Sequence, residues 1–440
     1  MRYSAPENAV PDQGLDSGIA KLTRERIRAA YKKVFHEEVG ARFDMYAKAC
    51  VHCGLCSASC HYYLSHDGDP RWSPVGKVKQ TVWEIMKKKG DVDAAFIRRA
   101  AEIAYTECNL CKRCTLYCPF GLDISYLMLV VRRFCHILGV TPRYIQDTVH
   151  SHSAANNQMW IKEDEWIDTI QWQEEEARSE IPDLRIPIEK EGADIMYSVI
   201  GPEPKFQAQL IYQAAVIMHS AGLDWTIPAT PGWDNSDMAM FSGDYEIMAR
   251  SKRIHFETAH RLRVRKIVMG ECGHAFRSVY DMGNRALAWR MPPIPVQHAV
   301  DFYDELLASG KIRVKKKLDQ PVTLHDPCNI VRGAGMEEKM RRIIHATCNH
   351  FIELEPNRRF NYCCGAGGGV INCGPPFRNK RVESGEVKAR QLSAAEKKGA
   401  RILIAPCHNC HSGLDDVTGH YGVGLAIKFL GDIIYEVMEK

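Results

Sequence analysis

The chain has 440 residues, a net charge of only +4, 25% charged side chains and 45% hydrophobic ones. That balance leaves no basic footprint for nucleic acid, and the length suggests about three domains of ordinary size. The outlier is the count of seventeen cysteines, most of them in three groups.

Residues Met1 to Ala20 lack the basic start, apolar core and small-residue cleavage site of an export signal. A reducing compartment is therefore expected, where grouped thiols bind metal more readily than they form disulfides. The first group is Cys50, Cys53, Cys56 and Cys60; the second is Cys108, Cys111, Cys114 and Cys118, followed by Pro119. Both read C-x2-C-x2-C-x3-C, the spacing of bacterial ferredoxins. Zinc is the rival, but zinc motifs pair two C-x2-C units across a gap, whereas here three thiols fall within seven residues. The spacing predicts two [4Fe-4S] cubanes with crossed ligands: Cys50, Cys53, Cys56 and Cys118 for one, Cys108, Cys111, Cys114 and Cys60 for the other. His61 stands where the first motif would carry proline.

Between the groups, Pro74 opens a helical pattern through Val75, Val78, Val82, Ile85 and Met86, which Lys87-Lys88-Lys89-Gly90 closes. A second helix is predicted from Asp91–Asp93 through Phe96, Ile97, Ala100 and Ile103. The apolar run Ile124–Val131 meets Arg132 and Arg133 and falls short of the roughly 20 residues a membrane span needs. It is expected to pack on the cubanes, with docking to a membrane partner as the alternative. Residues 151–191 turn acidic, with Trp160, Trp166 and Trp172 among Glu163–Glu165 and Glu174–Glu176. They read as a surface linker.

From residue 192 short apolar runs alternate with amphipathic stretches. Ile195–Ile200, Val264–Met269, Val322–Leu324 and Ile402–Ala405 predict buried parallel strands. The segment Lys266–His274 echoes Arg401–Asn409, which predicts two related α/β halves. Cys272, Cys328 and Cys407 each follow a strand, where sites form in parallel sheets. The third group is Cys328, the adjacent pair Cys363-Cys364, and Cys407 with Cys410. Paired cysteines crowd a single zinc but suit neighbouring irons. Gly365, Gly367, Gly368 and Gly369 let the backbone approach a bulky cofactor.

This third pattern resembles the CCG domain of heterodisulfide reductase, and the resemblance implies a noncubane [4Fe-4S] cluster on those five cysteines that acts on disulfides. Two cubane motifs ahead of a CCG unit resemble the D subunit of heterodisulfide reductase over most of the chain. The implied fold class is α+β multidomain: a helical ferredoxin domain (1–150), the acidic linker (151–191), a degenerate CCG-type α/β repeat (192–320) and an intact one (321–440). The first repeat has lost its cysteine pair and keeps Gly270-Glu271-Cys272-Gly273-His274-Ala275. With His325-Asp326-Pro327-Cys328-Asn329 and Tyr362-Cys363-Cys364-Gly365, that segment is similar to the K subunit of the sulfite-reduction-associated membrane complex. It is equally similar to the CCG subunits of cytochrome c membrane complexes of sulfate-reducing bacteria.

The resemblance implies a cytoplasmic oxidoreductase subunit, peripheral on the inner membrane. Its implied partners are membrane cytochrome or quinone-interacting subunits, a multihaem cytochrome c, and a small cytoplasmic thiol/disulfide carrier protein. Cys272 and His274 are the catalytic candidates; Cys272 reads either as an extra ligand or reactive thiol, or as a small buried hydrophobe. His325, His408 and His411 border the same strand ends, as proton donors or as plain hydrogen-bonding groups. Cys135, Cys348 and Cys373 have no partner at ligand spacing and read as structural. Two functions follow as expectations: reduction or oxidation of a disulfide substrate at the third cluster, or a non-catalytic relay between a flavin-dependent lactate- or glycolate-type oxidase and quinone. A zinc-stabilised scaffold is the third.

Overall fold

The computed structural model of the protein describes residues 12–229, 231–234, 238–287 and 291–440, the side chains of 281–287 excepted. The first eleven residues read for an export signal lie outside the described ones. Up to Ala155 the chain is helical. Ser73 caps the first predicted helix, its hydroxyl accepting from Gly76 N at 3.0 Å, with Pro74 at the first helical position. The helical run continues to Lys87 and ends at Gly90, whose φ of +77° only glycine adopts freely. Asp93 caps the second helix, Ala94–Thr106, by accepting from Phe96 N at 2.8 Å. Ile97, Ala100 and Ile103 lie on its buried face. Helix Ile124–Ile137 lies in the same core, with Leu127, Met128, Val130, Val131 and Phe134 buried. Its apolar run is core.

The rest of the chain builds two four-stranded parallel sheets. The first contains β1 (Ile195–Ser198), β2 (Trp225–Thr226), β3 (Lys266–Met269) and β4 (Val296–His298) in the order β2-β1-β3-β4. The second contains β5 (Val322–Leu324), β6 (Phe351–Ile352), β7 (Ile402–Ile404) and β8 (Ala426–Lys428) in the order β6-β5-β7-β8. These are the same topology twice. The central pairs run β1 beside β3, with Ile195 opposite Lys266, and β5 beside β7, with Val322 opposite Ile402. Strands covered on both faces must be apolar throughout, and β1, β5 and β7 are buried at every residue. One continuous core joins the two sheets, from Met196 and Val268 of the first to Ile330, Ile402 and Leu430 of the second.

The acidic segment differs from a linker. Glu163–Arg178 is a helix whose Trp166, Ile170, Gln173 and Ala177 face inward. Trp166 stacks on Trp233 with ring centroids 4.5 Å apart and donates its indole N–H to Pro228 O at 2.9 Å. Trp160 and Trp172 stay exposed. Among the described residues, no helix is long and apolar enough to cross a membrane.

The helical part is clamped to the α/β part. The short helix Ala239–Ser242 enters the helical core, where Tyr105 donates to Ser242 O at 2.6 Å and Arg132 to Phe241 O at 2.7 Å. From the other side, the Glu107 carboxylate accepts from Lys380 Nζ and Arg99 Nη1, each at 2.6 Å.

Candidate iron–sulfur sites

The first four-cysteine site lies at the surface. Cys53 is exposed, Cys56 buried, and Cys50 and Cys118 half-buried. His52 and Gly54 have positive φ (+60° and +80°), which curls the loop so that successive thiols turn to one side. Burial, reinforced by Cys50, Cys118 and Cys53, pushes the Cys56 thiol up to about 11. Cys118 stands beside Cys50 and Cys56.

The second site is inside. Cys60, Cys108, Cys111 and Cys114 line one cavity with Lys77, Tyr62 and Asn109. Left-handed Leu110 and Lys112 (φ +51° and +61°) fold the loop. Burial and the neighbouring Cys111, Cys108 and Cys60 push Cys114 well above its ordinary value. Thiols that oppose one another's ionisation need a cation to become thiolates.

The surroundings carry the complementary sign. Lys77 is buried, its Nζ 3.6 Å from Cys60 Sγ and 4.3 Å from the Tyr62 ring centre, and it also donates to Glu107 O. The Glu107 carboxylate is already taken by Lys380 and Arg99. Arg132, fully buried, donates only to carbonyl oxygens: Ala104, Phe241, Cys108 and Gly368. Buried cations held by carbonyls and thiols suit an anionic, thiolate-bound cluster.

The third site gathers from both halves of the α/β part. Cys328 starts helix Cys328–Ala334 after β5; Cys407 caps helix His408–Tyr421 after β7, and Cys410 lies in its first turn. Cys272 follows β3 just before helix Gly273–Leu287. Cys363 and Cys364 arrive on the loop before the glycines. The sulfurs form a row: Cys363 contacts Cys328, Cys364 and Cys111; Cys364 contacts Cys410; Cys410 contacts Cys407; and Cys407 contacts Cys272. Six sulfurs of the α/β part in one buried row exceed what a single tetrahedral zinc takes. The site also meets the second four-cysteine site, at Cys111.

Two imidazoles flank the row. His325 has Nδ1 3.2 Å from the Asn361 amide, while its Nε2 is buried without a nitrogen or oxygen partner and Cys364 is its sulfur neighbour. An imidazole nitrogen grouped with the Cys364 and Cys410 sulfurs suits a sulfur-bound metal centre. His274 accepts from Gly368 N at its Nε2 (2.7 Å), and its Nδ1 lies 2.5 Å from the Asn409 amide nitrogen. With Nε2 so engaged, His274 holds the glycine loop in place. His408 and His411 point elsewhere: His408 Nε2 lies 3.5 Å from Glu203, and His411 stacks on Phe429.

The glycines are needed for a reason other than cofactor approach alone. A Cβ on Gly368 would sit 2.7 Å from the Asn109 backbone, and one on Gly367 3.1 Å from Asn109 O and 3.7 Å from Cys363 Sγ. Gly365, at φ +83°, has open space around it, with Arg381 O at 3.7 Å. Asn109 donates its amide to Gly365 O and Gly367 O at 2.8 and 3.0 Å. The loop docks on the ferredoxin motif itself. Asn109, Lys77 and Arg132 were invisible to motif reading, because each acts on a partner distant in the chain.

Residues 46–122 match the family model of the 4Fe-4S dicluster domain, and residues 322–415 match that of the cysteine-rich CCG domain. The second iron–sulfur subunit of the Hdr-like menaquinol oxidoreductase of Archaeoglobus fulgidus is 25% identical over 86% of this chain and 78% of its own length. The D subunit of the dihydromethanophenazine:CoB–CoM heterodisulfide reductase of Methanosarcina barkeri is 24% identical over 89% of this chain and 93% of its own. The chain carries a 4Fe-4S dicluster domain and a CCG domain and is similar to the iron–sulfur subunits of heterodisulfide reductase-like enzymes. The EtfAB:quinone oxidoreductase of Syntrophomonas wolfei is 22% identical over 76% of this chain, which spans 49% of that protein. The two matched domains indicate 4Fe-4S clusters and an electron-transfer role, and the α+β architecture agrees with their order.

Proposed function

We propose that the protein is the electron-carrying subunit of a membrane redox complex. In this reading electrons enter at the exposed Cys50, Cys53, Cys56 and Cys118 site, pass the Cys60, Cys108, Cys111 and Cys114 site, and act on a disulfide or thiol substrate at the CCG site. The observation that carries the reading is the unbroken sulfur row, in which Cys111 of the second site contacts Cys363 of the third. Tunnelling weakens steeply with distance, so neighbouring ligand shells favour one path over escape to solvent.

A noncubane cluster on Cys328, Cys363, Cys364, Cys407 and Cys410 would supply the electron pair and a sulfur-binding iron. The overall step balances as one disulfide plus two electrons and two protons giving two thiols, and it runs in reverse for oxidation. The chain's own part is electrostatic and positional. Lys77 and Arg132 offset negative charge as electrons arrive, and His274 keeps the Gly365–Gly369 loop seated over the row. The catalytic reading of His274 becomes one of positioning. Peripheral attachment on the cytoplasmic face, beside cytochrome or quinone-interacting subunits, with a small thiol carrier as substrate, completes the proposal.

The relatives named for menaquinol and quinone favour a second reading, a relay without substrate chemistry. Anaerobic purification with iron and sulfide counting, then electron paramagnetic resonance with and without added thiol, separates the two. A thiol-dependent signal lost in Cys364→Ser, with cubane signals intact, supports disulfide chemistry. No thiol-dependent change supports the relay.

A further inference from the structure

We propose that Cys272 is a sixth sulfur ligand of the CCG site, donated by the degenerate repeat. The inference rests on the reading of a cluster at that site and adds the residue that ties it to both halves of the α/β part.

The geometry follows from the repeat. Cys272 comes three residues after the end of β3 and Cys407 three after the end of β7, and each stands at the start of a helix. Because the sheets share one topology, equivalent strand ends face each other across the join. There the backbone N–H of Gly273, from the first half, reaches 3.3 Å to Cys407 Sγ of the second. The two sulfurs are in contact, and with a His274 nitrogen they form a group whose atoms all lie within 4.8 Å of one another.

The hydrogen bonds distinguish Cys272 from the structural thiols. Cys373 points its S–H at the carbonyls of Tyr105 and Gly369, each at 3.6 Å, as a buried neutral thiol does. Cys348 rests against the Thr347 hydroxyl. Cys272 lies against Cys407 Sγ and also receives N–H donors: Ala275 N donates to its sulfur at 3.5 Å, and the Asn409 amide at 3.8 Å. Two N–H donors and a helix start thus face the Cys272 sulfur, beside the Cys407 sulfur and a His274 nitrogen. The sulfur ends the row that begins at Cys111. At 2% exposure, Cys272 is a poor candidate for a thiol meant to meet substrate from solvent. The loss of the first cysteine pair therefore leaves one ligand behind.

The test uses the anaerobically purified full chain. Cys272→Ser and Cys272→Ala are compared with wild type for iron and sulfide content, for the paramagnetic signal of the third cluster, and for release of its iron to a chelator. Cys348→Ser controls for the loss of a buried thiol, and intact cubane signals report folding. The expected result is an altered third-cluster spectrum with faster iron release in both Cys272 variants, and neither change in Cys348→Ser. A wild-type spectrum and release rate in Cys272→Ala overturn the inference while leaving the third cluster standing. A wild-type chain with iron for the cubanes alone overturns the cluster reading itself, and the sixth ligand with it.

Discussion

The thiol of Cys111, a member of the second ferredoxin motif, lies against the thiol of Cys363, in the paired-cysteine loop of the CCG domain. The two residues are far apart in the chain, and three separate contacts hold them together. Arg332 Nε donates to Cys111 O at 2.7 Å, Arg277 Nη1 donates to Leu110 O at 3.1 Å, and Asn109 spans Gly365 and Gly367. In the proposed function these sites hold two neighbouring metal centres, which must sense each other's spin. In partly reduced protein, the second cubane's signal should be broadened or split by the third site, and Cys363→Ser should relieve this. The signal of the Cys50, Cys53, Cys56 and Cys118 site should not change. Equal effects on both cubanes would refute the order of centres.

Lys77 should set the potential of the second cubane. Its ammonium is buried, 3.6 Å from Cys60 Sγ, with no carboxylate in the hydrogen bonds it makes. A nearby positive charge favours the more negative, reduced cluster, and a buried one such as Lys77 is weakly screened. Lys77→Met should therefore lower that cluster's reduction potential by tens of millivolts in a redox titration, and Lys77→Arg should restore most of the shift. The first cubane serves as the internal reference and should stay put.

What was legible in the sequence was local. Cysteine spacing gave the two four-thiol motifs. Proline, aspartate and glycine marked the helices that follow Ser73 and Asp93, and short apolar runs marked β1, β3, β5 and β7. The helix Glu163–Arg178 was legible too, since Trp166, Ile170, Gln173 and Ala177 recur at helical spacing, but its acidic outer face outweighed that period in the reading. The contacts of Cys111 with Cys363 and of Cys272 with Cys407 were not legible. Each depends on how two separately folded pieces dock, and no spacing within either piece encodes that.

Gly368 carries the docking in a form that mutation can expose. It has φ +63°, and a methyl group there would meet the Asn109 backbone at 2.7 Å. Gly368→Ala should cost roughly 1–2 kcal/mol for the left-handed conformation alone, with a further loss as the loop lifts from Asn109. Gly419, inside helix His408–Tyr421, has nothing within 4 Å of its virtual Cβ. Gly419→Ala should be neutral or stabilise by up to about 1 kcal/mol. Thermal unfolding of the two variants, followed with the third-cluster signal, checks the contrast; equal melting temperatures would show that the loop does not need its glycine.

Acid should weaken the first sheet through His255. The ring is fully buried, with Nδ1 2.7 Å from Gly232 O and Nε2 3.4 Å from Ser198 Oγ. Burial, helped by the nearby Lys252 charge, lowers it from 6.5 to about 3 in the folded protein. Between those values the unfolded chain binds a proton that the folded chain refuses, so stability rises with pH across that window. The contribution is complete above pH 6.5 and is lost as pH falls toward 3, at about 1.4 kcal/mol per unit once well below 6.5. Going from pH 7.5 to 5.5 should thus cost about 1.4 kcal/mol through this residue. In His255→Asn the amide can still donate to Gly232 O, but the side chain cannot take up a proton. Urea midpoints of both proteins at the two pH values isolate the effect, because every other titrating group is common to them. The wild type should lose more stability than the variant, and equal losses would mean that His255 is protonated in the folded state.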